Sequence, residues 1–82
     1  METYIQYFRS QDFEKALILC SAGAILYQVE WNSEGKKAEF VFEDISSCSN
    51  ILDSHKRGKL KLNSNDVLRA YHEVKNELFA QR

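Results

Sequence analysis

The side chains best suited to nucleophilic or acid–base chemistry in this 82-residue chain are Cys20, Cys48, His55 and His72. Hydrolysis or group transfer needs a nucleophile, a base that activates it and a third group that orients the base. The spacing does not assemble such a set. Cys48 and His55 stand seven residues apart on one expected helix, two turns and about 10 Å of rise, too far for direct proton transfer. His55, near the end of that helix, reads as a cation set against the carbonyl dipole. His72 follows Tyr71 on the polar side of the last helix and reads as solvated. Cys20 and Cys48 match no metal-ligand spacing and fall on apolar helical stripes, as small buried thiols of a reducing compartment do. A disulfide between them stays open, should the two helices touch.

Other cofactor chemistry finds equally little footing. Neither His-x-x-x-His nor Cys-x-x-Cys occurs, and the three glycines, Gly23, Gly35 and Gly58, are singletons at element ends. Metal sites and phosphate-cradling loops need those clusters. Glu43 and Asp44 adjoin at a strand-to-helix junction, where helix capping accounts for them better than a hard cation. The expectation is a protein that is not an enzyme, with no catalytic residue, metal or cofactor.

Binding is the remaining class. The net charge of −1 sets up no global field, yet residues 30–44 hold Glu30, Glu34, Glu39, Glu43 and Asp44 against two lysines. Residues 55–61 hold Lys56, Arg57, Lys59 and Lys61 and no acid. That basic loop is a candidate nucleic-acid contact; its lysines would also guard a sheet edge against pairing. Large apolar residues are numerous for so small a chain: Tyr4, Ile5, Tyr7, Phe8, Leu26, Trp31, Val41 and Phe79. Exposed aromatic patches mark interfaces, so Tyr4, Tyr7, Leu26, Trp31 and Val41 are candidate contact residues toward a protein partner or a second copy. The alternative is that residues 1–9 pack over the open sheet face and consume this surface.

The elements that would position these groups follow from periodicity. Residues 1–9 alternate as an arm or short edge strand. Ser10 can cap a helix over 11–22 whose stripe is Phe13, Ala16, Leu17 and Cys20, with Gly23 as the left-handed stop. Ala24–Trp31, a loop of about four residues containing Gly35, and Lys36–Phe42 read as a β-hairpin. Period two puts Ile25, Tyr27, Val29 and Trp31 on one face with Ala38, Phe40 and Phe42, and leaves Leu26 and Val41 on a largely solvated face. Asp44 opens a second helix carrying Ile45, Cys48, Leu52 and His55, and Gly58 ends it. Lys59-Leu-Lys-Leu62 alternates as a short third strand. Asn63 or Ser64 caps a last helix with the stripe Val67, Leu68, Tyr71, Val74 and Leu78. The fold class is α+β: helix, strand, strand, helix, strand, helix, a three-stranded sheet covered by helices on one face, with a possible N-terminal edge strand, all in one domain over 1–82.

In that order the residues Phe8-Arg-Ser10-Gln-Asp12, Gly23–Glu30, Phe40-Val-Phe-Glu-Asp44, Gly58-Lys-Leu-Lys-Leu62 and Ala70-Tyr71 carry a likeness. Over roughly residues 8–79 the chain resembles a family of small bacterial and phage proteins known as domain of unknown function 5659. The resemblance implies this fold and a prokaryotic or mobile-element setting, and brings no catalytic or binding residues with it.

The 44% hydrophobic and 12% aromatic content, with no proline, suits a small folded core rather than a linker or disordered tail. No apolar run reaches the roughly 18 residues of a membrane span, and the first nine residues lack the pattern of a secretory signal. A cytoplasmic protein without membrane contact is expected. The functional expectation is a non-catalytic interaction protein of prokaryotic or phage origin, probing protein partners and self-associating as a homodimer or other homo-oligomer. Its alternatives are a nucleic-acid-binding accessory protein and a phage-encoded inhibitor of a host defence system.

Overall fold

Phe40, Val41 and Phe42 follow one another and are 2%, 1% and 0% exposed. Successive strand side chains point to opposite faces, so three buried neighbours in a row demand cover on both sides of the sheet. The computed structural model, which describes residues 6–80, supplies it. Its elements are β1 (Phe8–Ser10), α1 (Phe13–Ser21), β2 (Leu26–Trp31), β3 (Ala38–Phe42), α2 (Ile45–Lys56) and α3 (Ser64–Ala80). The fold is α+β, three helices with a three-stranded sheet in the order β1-β3-β2, both pairings antiparallel.

The third strand is β1, inside the arm, and not residues 59–62. Phe8 pairs with Phe42 and Ser10 with Phe40, which fills the free edge of β3. Residues 59–62 form an extended connection between α2 and α3, with Leu60 and Leu62 half-buried and the lysines exposed. An extended connection along a protein surface alternates in and out as a strand does, which is why the two segments look alike in sequence. Tyr4 and Ile5 lie outside the described residues.

A β-bulge sets which side chains of β2 reach the core. Leu26 pairs with Phe42 and Gln28 with Val41, so Tyr27 is the extra residue. A bulge reverses the in-and-out parity of the strand. Val29 and Trp31 therefore face the helices as expected, while Leu26 takes the core position and Ile25 and Tyr27 turn outward, 61% and 51% exposed. The expected face of Ile25, Tyr27, Val29 and Trp31 is thus split at the bulge.

On the helix side, Val29, Phe40 and Phe42 pack with Ala16, Leu19 and Cys20 of α1, Cys48 of α2 and Ala70 and Val74 of α3. α1 is the central helix, against α2, α3 and β1. Asp12, not Ser10, caps it, accepting the Glu14 amide at 2.9 Å, while the Ser10 hydroxyl accepts the Asp12 amide at 3.1 Å. The buried Ser21 hydroxyl donates to the Leu17 carbonyl at 2.7 Å. On α3 the inward stripe is centred on Ala70, Val74 and Leu78; Leu68 and Tyr71, expected inside, are exposed. Asn63 caps α3 through the Asn65 amide at 2.8 Å.

The opposite face carries polar side chains at the positions flanking Val41. Val41 sits across from Arg9 on β1 and Gln28 on β2. The Arg9 guanidinium reaches over to Glu30 at 2.7 Å and Glu39 at 2.8 Å, and the Gln28 amide donates to Glu30. Glu30 and Glu39 are directly paired across the strands, a repulsion that Arg9 neutralises. Their hydrogen bonds hold the guanidinium's pKa above its ordinary value.

Phe42 is the largest side chain fully enclosed in the core. Phe42→Ala is expected to cost about 3–5 kcal/mol, read as a lower urea midpoint. That is a large share of the roughly 5–10 kcal/mol available to a small domain.

Candidate functional site

The two cysteines lie inside the core, and the two histidines lie exposed on different helices. Cys20 and Cys48 are both buried and both free. Burial, then the negative charge of Glu73 and the neighbouring Cys48, pushes the Cys20 thiol up to about 12. Burial and then Asp44 push Cys48 upward too, and its sulfur lies 3.5 Å from the Glu43 carbonyl oxygen. A thiol is a nucleophile only as thiolate, and both are held as thiols. His55 is exposed in the last turn of α2, beside a shallow cleft of about 380 Å³ lined by Asp12, Glu14, Ile18 and Leu52. His72 is exposed and stands edge-on to Tyr71 with ring centroids 5.8 Å apart. Among the described residues, no group of three or more His, Cys, Asp or Glu side chains is gathered as a metal site would need.

Glu43 and Asp44 divide their roles. Asp44 is the N-cap of α2, accepting the Ser47 amide at 3.2 Å and the Ser47 hydroxyl at 2.9 Å. It does so with φ 62°, in the left-handed region that Asp tolerates better than most residues. The Ser47 bonds hold its carboxyl below the ordinary value. Glu43 donates its amide to the Ile25 carbonyl at 3.0 Å.

Lys56, Arg57, Lys59 and Lys61 are all exposed around the end of α2 and the following connection. Arg57 pairs with Asp53 at 3.2 Å, within the same helical turn. Lys56, with His55, lines the cleft of about 380 Å³ between α1 and α2.

The candidate interface residues separate. Leu26 faces the core and Val41 is enclosed beneath Arg9, so neither offers a contact surface. Tyr7 is half-buried, its ring tilted against Tyr27 with centroids 4.9 Å apart. Trp31 is half-buried and donates its indole N–H to the Leu78 carbonyl at 3.3 Å. With Phe13, Phe40 and Leu78 it lines a groove of about 360 Å³, bordered by Lys36 and Lys37. The hairpin loop fixes those two lysines: the Asn32 side-chain oxygen accepts the Lys36 amide at 2.9 Å and the Lys37 amide at 3.4 Å, and Gly35 takes φ +67°.

Four exposed apolar residues were not anticipated as surface: Ile25 and Tyr27 at the bulge, and Leu68 and Tyr71 on α3. Leu68, Tyr71 and Phe79 form an outer stripe at helical spacing, with Lys75 over the Tyr71 ring at 5.6 Å and Phe13 edge-on to it at 6.0 Å. The groove escaped the sequence because its lining comes from four separate elements. Its one local signal was the single tryptophan followed by an Asn-containing turn and two lysines.

Two titrations test this description. The unfolded chain releases its thiol protons near pH 8.5–9, while folded Cys20 holds its proton to about 12. Stability is therefore complete below about 9 and falls as pH rises toward 12; Cys20→Ala is expected to flatten that decline in urea titrations. In the folded protein, both thiols should resist a thiol reagent at pH 8 and react once guanidinium unfolds the chain. On the acid side, the Asp44 carboxylate stabilises above the unfolded value near 4 and ceases to do so as pH falls through its lowered native value. Asp44→Asn keeps an acceptor and tolerates the backbone, so its stability deficit at pH 7 should shrink as pH falls below about 4.

Comparison of the chain with protein-family models, with curated proteins and with solved structures finds no match.

Proposed function

We propose that this chain is a small non-catalytic interaction protein that works through protein–protein contacts and associates with copies of itself. The observation that carries this reading is the exposure of large apolar side chains: Ile25, Tyr27, Leu68 and Phe79 each keep more than half their surface in water, and Tyr71 39%. Scattered single apolar residues are ordinary on a surface, whereas groups of them mark contact sites. Here they form two groups, one at the start of β2 and one along α3. The enclosed, protonated thiols and the separated histidines support the non-catalytic part. The likeness to domain of unknown function 5659 supports a bacterial or phage setting.

A nucleic-acid role is the second reading, favoured only by the exposure of Lys56, Lys59 and Lys61, with Arg57 already engaged by Asp53. Sedimentation velocity across a wide concentration range separates the two. Self-association predicts a mass that rises with concentration, without nucleic acid present. A strict monomer that binds an oligonucleotide at low salt would favour the second reading instead, with the steep salt dependence of phosphate contacts.

A further inference from the structure

The two ends of β2 carry complementary surfaces. At the loop end is the groove of Phe13, Trp31, Phe40 and Leu78, whose charged lining residues are both lysines, Lys36 and Lys37. Neither charge is strongly compensated among the described residues. Lys36 stands 4.0 Å from Glu34, with both side chains at least 70% exposed, an arrangement of little strength in water. Lys37 also borders a smaller cleft with Glu30 and Glu39, whose carboxylates are taken by Arg9 at 2.7 and 2.8 Å. The groove has room for about a dozen waters at ~30 Å³ each, enough for an aromatic side chain and an aliphatic neighbour.

At the other end, the bulge projects Ile25 and Tyr27 into solvent. Tyr7 braces the Tyr27 ring, and the hydrogen bond from the Glu43 amide to the Ile25 carbonyl puts an acid beside them. Burial, Tyr27 and Glu43 together hold the Tyr7 phenol above its ordinary pKa, consistent with that carboxylate lying close by. One end thus offers an acidic aromatic knob and the other a basic aromatic groove. Six residues of extended chain separate Ile25 from Trp31, about 20 Å, so a knob does not reach the groove of its own chain.

We propose that the Ile25–Tyr27 knob of one copy seats in the Trp31 groove of a second copy, with Glu43 facing Lys36 and Lys37. Knob and groove are different surfaces, so the contact is head-to-tail and propagates into an open chain or a ring rather than stopping at a twofold dimer. This inference rests on the self-association reading and specifies its geometry.

The test uses two full-length variants whose changes sit on exposed side chains. Tyr27→Ser disables the knob and leaves the groove; the double change Lys36→Glu and Lys37→Glu disables the groove and leaves the knob. Sedimentation velocity of the unaltered chain should show species beyond a dimer that dissociate with added salt. Each variant alone should be monomeric, with an unchanged circular dichroism spectrum. Their equimolar mixture should form a dimer and go no further, because only one of the two possible junctions is intact. The emission of the single tryptophan, Trp31, should shift to the blue in the mixture and in neither variant alone. If the unaltered chain assembles and the variants assemble equally, the knob-in-groove contact is wrong while self-association stands. If the variants are monomeric but do not complement each other, the contact is not head-to-tail. If the unaltered chain stays monomeric at every concentration, both the contact and the self-association reading fall.

Discussion

A central strand buried on both faces is the constraint to which the rest of this fold answers. Phe40 and Phe42 must be met by apolar groups on one side, which three helices supply. Val41 must be met on the other, where the described residues set Arg9 and Gln28 beside it. The solution there is a polar lattice: Arg9 spans from the edge strand to Glu30 and Glu39 and lies over Val41 with Gln28. An exposed ion pair contributes little by itself. Here the same residue also stands in register with the buried Val41, on the face where a long cationic stem packs well. It also cancels a repulsion between two facing glutamates. The sheet is thus two-sided in different currencies, hydrophobic toward the helices and ionic toward solvent.

Much of this was legible from residue order. The inward set Ala38, Phe40 and Phe42, the cap at Asp44 and the stop at Gly58 follow from local chemistry, and the structure carries all of them. Two features were not local. Leu26 and the residues flanking it are all apolar, so alternation could not reveal where the parity reverses, and the bulge at Tyr27 decided it. Two short segments alternated equally well, residues 8–10 and 59–62, and only pairing across some thirty residues of chain distinguishes them. Loop closure of that length leaves no trace in a local pattern.

The surface was harder to read than the core for the same reason. Tyr27 and Leu26 exchanged places, so one candidate contact residue went inside and an unnamed one came out. Trp31 remained at a site of interest because its neighbours arrive from other elements. Phe13 comes from the start of α1, Phe40 from β3 and Leu78 from the end of α3. Spatial convergence of this kind is a property of the finished fold.

The brevity of β1 has a kinetic consequence. The hairpin of β2 and β3 closes over a short loop and can form early, as local contacts do. β1 has only three residues, and its anchoring charge, Arg9, waits for partners 21 and 30 residues away. It is therefore the natural first segment to detach in a sub-global opening. When it lifts, one edge of β3 loses its hydrogen-bonding partner and Val41 loses its cover in the same event. Such a transient edge recruits foreign strands, which makes the residence of a single three-residue strand the safeguard of the whole sheet against misassembly.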